Sequence, residues 1–351
     1  MIGIVFTGGS KLELRSFPDP SPGPGEVVLE IKASGMCGSD LKLYRAAAGA
    51  AAASLGLGGK GGPIIAGHEP SGVVCAVGAG VSEKQARVGM RVMQHHYRGC
   101  GACPQCSTGW MQLCETGVED VYGVTSHGAH ARYLLCPART LVALPDELSF
   151  STGAAIACGT GTAWGALQRL GLQGDHTIAI FGQGPVGLSA TQLASSMGAR
   201  VIALDTSPER LARARELGAD VVIDPANTPN VVSAIKDVTH GRGAHLALDA
   251  SSAPSARRQA VQCVRTWGKV CFVGEGGEVT LDVSNDMIRR QVTLIGSWTF
   301  STGGQADCAR YIAERKIDVD QLFTDTWRLE QAEEAYQRFD RQTGGKGVFL
   351  M

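Results

Sequence analysis

Cys100, Cys103, Cys106 and Cys114 stand at C-x2-C-x2-C-x7-C spacing within "CGACPQCSTGWMQLC". Spacing this tight lets one folded loop turn four thiolates toward a single soft ion. Zinc takes four such ligands in a tetrahedron, about 2.3 Å from each sulfur, and sites closed in this way serve structure. Gly99, Gly101 and Gly109 ease the turns that wrapping an ion demands. Tight C-x2-C-x2-C runs also ligate iron in iron–sulfur clusters, so the spacing alone leaves zinc and iron open. Four thiolates fill the shell of either. The expectation is a cluster that holds a loop and never meets substrate.

A second kind of chemistry is legible in "HTIAIFGQGPVGLSATQLASSMGARVIALD". Thr177 to Phe181 reads as a strand, and Gly182, Gly184 and Gly187 supply G-x-G-x-x-G. Pro185 and Val186 open a helix predicted to run to Met197. Such glycines permit a tight turn and close backbone approach, while free amides at the helix start receive a pyrophosphate. The motif alone is weak, but here a strand precedes it and a helix follows. A second strand ends in Asp205, eighteen positions after the last glycine. A carboxylate there accepts hydrogen bonds from both hydroxyls of an adenosine ribose and repels a 2′-phosphate, which favours NAD over NADP. Arg210 is the nearest base. Otherwise Asp205 is only a structural strand end.

Three shorter stretches carry isolated ligand types: "GMCGSD" with Cys37, "AGHEPSG" with His68 and Glu69, and "IACGTGT" with Cys158. A lone cysteine is usually buried filler, and a lone His-Glu pair is usually a turn feature. Only their joint presence beside a dinucleotide motif makes them candidates for one site.

The elements that must position these residues change character along the chain. Residues 25 to 135 are rich in Gly and Val, and "GEVVLEIKASGMCG" and "SGVVCAVGAGV" read as strands bounded by glycines. From about residue 150, alanine-rich helical stretches alternate with "TIAIF", "RVIALD", "DVVID", "HLALDA" and "KVCFVG", the rhythm of a parallel sheet covered on both faces. The rhythm stops near Trp298. Ala332, Ala335, Tyr336 and Phe339 then recur at helical spacing, and "GKGVFL" reads as a last strand. The 46–62 segment, "AAAGAAAASLGLGGKGG", reads either as a short alanine helix with a glycine arm or as a mobile surface loop.

With 351 residues, the chain has the length of two domains. Its 32 Lys and Arg nearly balance 33 Asp and Glu, and no basic run accompanies aromatics, so no nucleic-acid partner is expected. No secretion signal opens the chain and no apolar run approaches membrane-spanning length, which predicts a soluble cytoplasmic protein. The odd total of 11 cysteines argues against a disulfide framework. Cys75, Cys136, Cys263, Cys271 and Cys308 are expected to be mostly small buried side chains.

Taken together, these motifs resemble the zinc-containing alcohol dehydrogenases of the medium-chain dehydrogenase superfamily. "CGSD", "GHE", the cysteine lobe, Cys158 and "GQGPVG" follow in that family's order along essentially the whole chain. The resemblance implies an α/β protein. A GroES-like β-rich catalytic domain would span 1–159, with a structural zinc lobe at about 98–116. A Rossmann NAD-binding domain would span 160–298, and 299–351 would return to the catalytic domain, with the active site in the cleft between domains.

Carried over to this chain, Cys37, His68 and Cys158 would ligate a catalytic zinc, with water or substrate oxygen in the fourth position. Glu69 would sit beside the metal and sometimes replace that water. Ser39 would start a proton relay, which in the family commonly ends on a histidine where this chain has Lys42. A lysine near its reference pKa of about 10.4 is a poor acceptor, so the proton exit departs from the pattern. Thr162 would pack behind the nicotinamide. Lys346 would replace an arginine near the pyrophosphate, or else be a solvated tail lysine. His95 and His96 are expected to be surface or loop residues, with lining of the substrate mouth as the remote alternative. The 46–62 insertion is longer than in compact relatives and would project near the substrate entrance, as a lid or a passive loop.

The implied activity is hydride transfer between NAD and a primary or secondary alcohol, or its aldehyde or ketone, with a polyol as the alternative substrate. The family also implies a homodimer or homotetramer. A zinc-stabilised nucleotide-binding protein without turnover is the alternative of another class, and a quinone oxidoreductase lacking catalytic zinc is disfavoured for want of a use for the three ligands.

Overall fold

The computed structural model describes residues 1–47 and 62–351. The 46–62 insertion therefore lies, apart from its ends, outside the described residues. The chain builds two units: residues 1–161 with 300–342 and 346–351, and residues 162–299 with 343–345.

The first unit is organised on the strand Glu26–Gly35. It pairs antiparallel with Pro70–Val77, Tyr133–Pro137 and Lys346–Leu350. Neighbours on both edges exclude water, so the strand carries Val27, Leu29 and Ile31 into a core with Val74, Val92 and Leu134. Arg91–Gln94 and Leu141–Ala143 extend the sheet at one end, and Phe323–Trp327 pairs parallel with the last strand at the other. Register here decides what reaches the site: Val348 stands opposite Gly35, and Met36 N–H donates to Gly347 O at 2.9 Å. That pairing brings the C-terminal strand alongside the residues that precede Cys37.

A second core holds the first metal motif in position. Leu41 and Tyr44 on the helix Gly38–Arg45 pack with Met36, Phe349 and Ile4, and with Ala335 and Tyr336 of the helix Ala332–Asp340. The periodic Ala332, Ala335 and Tyr336 are the buried face of that late helix.

The second unit is a six-stranded parallel sheet. Its order is Val221–Ile223, Arg200–Leu204, Thr177–Phe181, Ala244–Asp249, Val264–Phe272, Thr293–Gly296. In chain order the strands therefore run third, second, first, fourth, fifth, sixth. This is the doubly wound Rossmann arrangement, whose ligands bind beyond the carboxyl ends of the strands where the order reverses. Thr177–Phe181 is buried at every position, as a central strand covered on both faces must be. Five of the six strands fall on apolar runs legible in the sequence; the sixth, Thr293–Gly296, is only four residues long and gave no such signal. No helix among the described residues is long and apolar enough to cross a membrane.

Candidate functional site

Cys37 is the N-cap of the helix Gly38–Arg45, and Asp40, three positions on, reaches back to the Cys37 N–H at 2.8 Å. This closes the first turn. The other Asp40 oxygen accepts from Nδ1 of His68 at 2.8 Å. A carboxylate can only accept there, so a proton sits on Nδ1 and Nε2 is the nitrogen left to meet a metal. One buried carboxylate thus sets both the backbone of the first ligand and the tautomer of the second. Asp40 was not singled out in the sequence, although it is the last letter of "CGSD".

Cys158 follows the helix Phe150–Ile156, whose start is fixed by Ser149 accepting from Thr152 N–H. Its sulfur lies 3.8 Å from that of Cys37. Two sulfurs at about 2.3 Å from one zinc in a tetrahedron stand about 3.8 Å apart. Ligand atoms of Cys37, His68, Glu69 and Cys158 all lie within 4.8 Å of one another, and all four residues are buried. Glu69 Oε1 is buried without a hydrogen-bond partner. An orphaned carboxylate oxygen among two sulfurs and an imidazole is the donor set that a zinc ion suits.

The ligand groups are close enough to shift one another's protonation strongly. Donation from Cys158 holds the Cys37 thiol well below its usual range, against burial and with help from His68. Cys158 is pushed well above its range by the same bond and by burial. Burial pulls the His68 ring toward neutrality, yet Asp40 and the Cys37 sulfur outweigh it and hold the ring well above its ordinary value. Ser39 donates to Cys37 Sγ at 3.3 Å and sits 3.2 Å from His68 Nε2, so its hydroxyl borders the ligand atoms. Lys42 lies one turn further along the same helix, on its exposed face.

Two readings from the sequence are corrected here. Lys346 is neither a solvated tail lysine nor free to meet a pyrophosphate. It is 1% exposed, its ammonium pairs with Glu69, and it donates to Met36 O at 3.1 Å. The C-terminal strand register carries it inward. His95 and His96 do lie in the loop between the strands Arg91–Gln94 and Tyr97–Arg98, but not at the surface: they are 0% and 2% exposed. His95 Nε2 donates to Phe300 O at 3.0 Å, and His96 Nδ1 donates to Ala157 O at 3.1 Å, beside Cys158. The His96 ring meets that of His68 edge-on at 5.2 Å. Burial lowers the affinity of both rings for a proton. Of the cysteines expected to be mostly buried, Cys136, Cys263, Cys271 and Cys308 are, and Cys75 is exposed.

In the cysteine lobe, the sulfurs of Cys100, Cys103, Cys106 and Cys114 also lie within 4.8 Å of one another. Backbone amides point at them: Cys100 N–H donates to Cys114 Sγ and Cys103 N–H to Cys100 Sγ, each at 3.3 Å. The amide of Cys100, with the Thr116 hydroxyl, lowers Cys114 to about 6, whereas burial pushes Cys106 up to about 12. An iron–sulfur cluster would interpose its own iron and sulfide atoms and spread the four sulfurs. Their convergence fits a single tetrahedral ion and leaves no position for substrate.

The nucleotide motif forms the turn after Thr177–Phe181 and the N-terminus of the helix Pro185–Ser196. A side chain on Gly187 would overlap the Gly182 carbonyl, so that glycine serves the turn. A Cβ on Gly184, the helix N-cap, would meet nothing within 4 Å. Its smallness answers to no protein neighbour, and it opens room at amides suited to a phosphate. Asp205 accepts from the amides of Gln183 at 2.6 Å and Ser207 at 2.9 Å, so its carboxylate stands over the glycine loop. Arg210 donates to Gly344 O at 3.3 Å, and Thr162 is buried in the helix Gly159–Leu170.

Residues 23–146 match the family model described as "Alcohol dehydrogenase GroES-like domain", and residues 185–315 match "Zinc-binding dehydrogenase". The chain is 38% identical to an uncharacterized zinc-type alcohol dehydrogenase-like protein of Escherichia coli, over 99% of this chain and 98% of that one. It is 32% identical to an alcohol dehydrogenase of Rhizobium meliloti, over 90% and 88% of the two chains. Among solved structures, acetophenone reductase from Geotrichum candidum in complex with NAD superposes with a TM-score of 0.83 at 28% identity, covering 100% of this chain and 97% of the other.

Proposed function

The chain belongs to the zinc-containing alcohol dehydrogenase family, and from that premise we propose that it moves a hydride between NAD and a primary or secondary alcohol, or the matching aldehyde or ketone. Zinc, when bound, supplies a Lewis acid that lowers the pKa of the substrate hydroxyl, and the nicotinamide supplies the redox chemistry. Every other part of the task falls to residues of this chain.

Cys37 and Cys158 supply two thiolates whose charge balances a divalent ion, and His68 supplies the third ligand through Nε2. Asp40 holds that imidazole in the ligating tautomer. Ser39 would relay the proton leaving the substrate oxygen, accepting it as its own hydroxyl proton passes to water, and Lys42, at the i+3 position on the same helix, stands beside that exit. Gly182, Gly184, Pro185, Val186 and Gly187 form the pyrophosphate turn. Asp205 accepts from the ribose hydroxyls, Arg210 flanks it, and Thr162 backs the nicotinamide. Cys100, Cys103, Cys106 and Cys114 hold a second zinc that only stiffens its loop. A nucleotide-binding protein without turnover would have no use for the open position beside Cys37.

The observation that carries this reading is the convergence of the Cys37, His68 and Cys158 ligand atoms, with the imidazole tautomer set by Asp40. Purified protein is expected to carry two zinc ions per chain and to reduce NAD+ with at least one member of a panel of alcohols, polyols and hydroxy amino acids. One zinc per chain together with no turnover across the panel would defeat it. The panel also separates simple alcohols from polyols.

The protein assembles, on this reading, as a homodimer or homotetramer. Support comes from the outermost strand of the parallel sheet, Thr293–Gly296, where Leu294 is exposed, as are Val283, Ile288 and Trp298 of the same unit. Light scattering should give two or four times the 36.7 kDa chain mass; a monomer at micromolar concentration rejects it. Eleven unpaired cysteines suit a reducing compartment, the cytoplasm.

A further inference from the structure

We propose that Lys346 is a positioning residue: it ties down Glu69 and thereby keeps the fourth coordination position of the Cys37, His68 and Cys158 site exchangeable. The inference rests on the reading that zinc occupies those three ligands.

Glu69 is fully buried, and its two carboxylate oxygens have different surroundings. Oε2 pairs with the Lys346 ammonium, and a side chain on Gly35 would overlap that same oxygen. Oε1 has no hydrogen-bond partner. A Glu69 oxygen lies within 4.8 Å of the ligand atoms of Cys37, His68 and Cys158. The carboxylate is therefore wedged between a strand end that lacks a Cβ and a buried cation, with Oε1 left unpaired.

An anionic carboxylate so close to a zinc with three protein ligands is itself a competent fourth ligand. Were it bound without competition, the shell would close and the site would become structural. Lys346 draws on the same negative charge through Oε2. Its hold is built into the sheet: Met36 O accepts from its ammonium at 3.1 Å, and Met36 N–H donates to Gly347 O at 2.9 Å. The strand pairing fixes the lysine's backbone, and the Met36 carbonyl holds its ammonium at Glu69. Two positive charges, the metal and the ammonium, both attracted to one carboxylate, make its attachment to the metal reversible.

The test compares wild-type holoenzyme with K346M, K346R, E69Q and the K346M/E69Q double variant. One readout is zinc release to a chromogenic chelator; the other is the visible spectrum of protein carrying cobalt at the catalytic site, titrated with imidazole. In K346M, release of one of the two zinc ions should slow by about tenfold, the scale on which partners of metal ligands act. The cobalt spectrum should lose most of its response to imidazole. K346R, which keeps the charge, should behave as wild type, and the double variant should match E69Q because no carboxylate remains to close the shell.

Release from K346M at the wild-type rate with a full imidazole response would overturn the proposal, as would a double variant that stays slow. If K346M does not fold, K346Q in the E69Q background decides. There the lysine change should alter neither readout relative to E69Q alone, and a further change in either would reject coupling through Glu69. A wild-type protein with zinc only in the cysteine lobe defeats the underlying reading, whereas two zinc ions with exchange indifferent to residue 346 defeats this inference alone.

Discussion

C37S is expected to leave one zinc per chain in place of two and to lower kcat by at least about 10³-fold. The size of the effect follows from what the ion supplies. Zinc moves the pKa of bound water from 15.7 to about 7, and each unit of such a shift corresponds to about 1.36 kcal/mol, a factor of ten. An alcohol deprived of even part of that shift holds its proton, and a protonated alcohol is a poor hydride donor. Serine keeps the size of the side chain, yet its hydroxyl stays neutral and the site loses one of the two sulfurs set 3.8 Å apart. NAD+ affinity should change by less than about twofold, because the glycine turn and Asp205 belong to the other unit of the chain. Metal analysis, equilibrium titration with NAD+ and steady-state kinetics on one preparation check all three statements. Turnover by metal-free C37S within tenfold of wild type would end the zinc mechanism.

The second large effect falls on the cofactor. In D205A, the ratio of kcat/KM for NAD+ to that for NADP+ should drop by about 10²-fold or more. Charge-assisted hydrogen bonds are worth about 1.5–3 kcal/mol each, and the same carboxylate repels a 2′-phosphate. Asp205 also accepts from the amides of Gln183 and Ser207, so alanine loosens the glycine loop as well. D205N separates the two contributions: it retains an acceptor of the same shape and removes the charge. Most of the discrimination should vanish in D205N as well, while affinity for NAD+ falls less than in D205A. An unchanged ratio in both variants would strip Asp205 of its assigned part.

What could be read in advance and what could not divide along a physical line. The cysteine lobe and the glycine turn were legible because their chemistry is compressed into a few consecutive residues with fixed spacing. The strand Thr177–Phe181 and helix Pro185–Ser196 were legible because a fully buried strand and a helix start leave local signals. Asp40 escaped, since its role depends on His68, 28 positions away. His95 and His96, just ahead of the cysteine lobe, read as surface or loop residues. Their burial is decided by the carbonyls of Phe300 and Ala157, 205 and 61 positions distant. Lys346 looked like a tail residue because nothing in "GGKGVFL" announces that Val348 will lie against Gly35. The sixth parallel strand, only four residues long, carried too few apolar positions to stand out.

The two bonds made by Asp40 bear on how this enzyme can diversify. Cys37 and His68 are kept in step by a carboxylate three positions from the first of them, and so do not depend on the chain strung between Ala46 and Ile65. That stretch is then at liberty to grow, shrink or change composition across descendants while the ligands hold their spacing. In a protein engineer's hands it is the natural point for grafting new sequence.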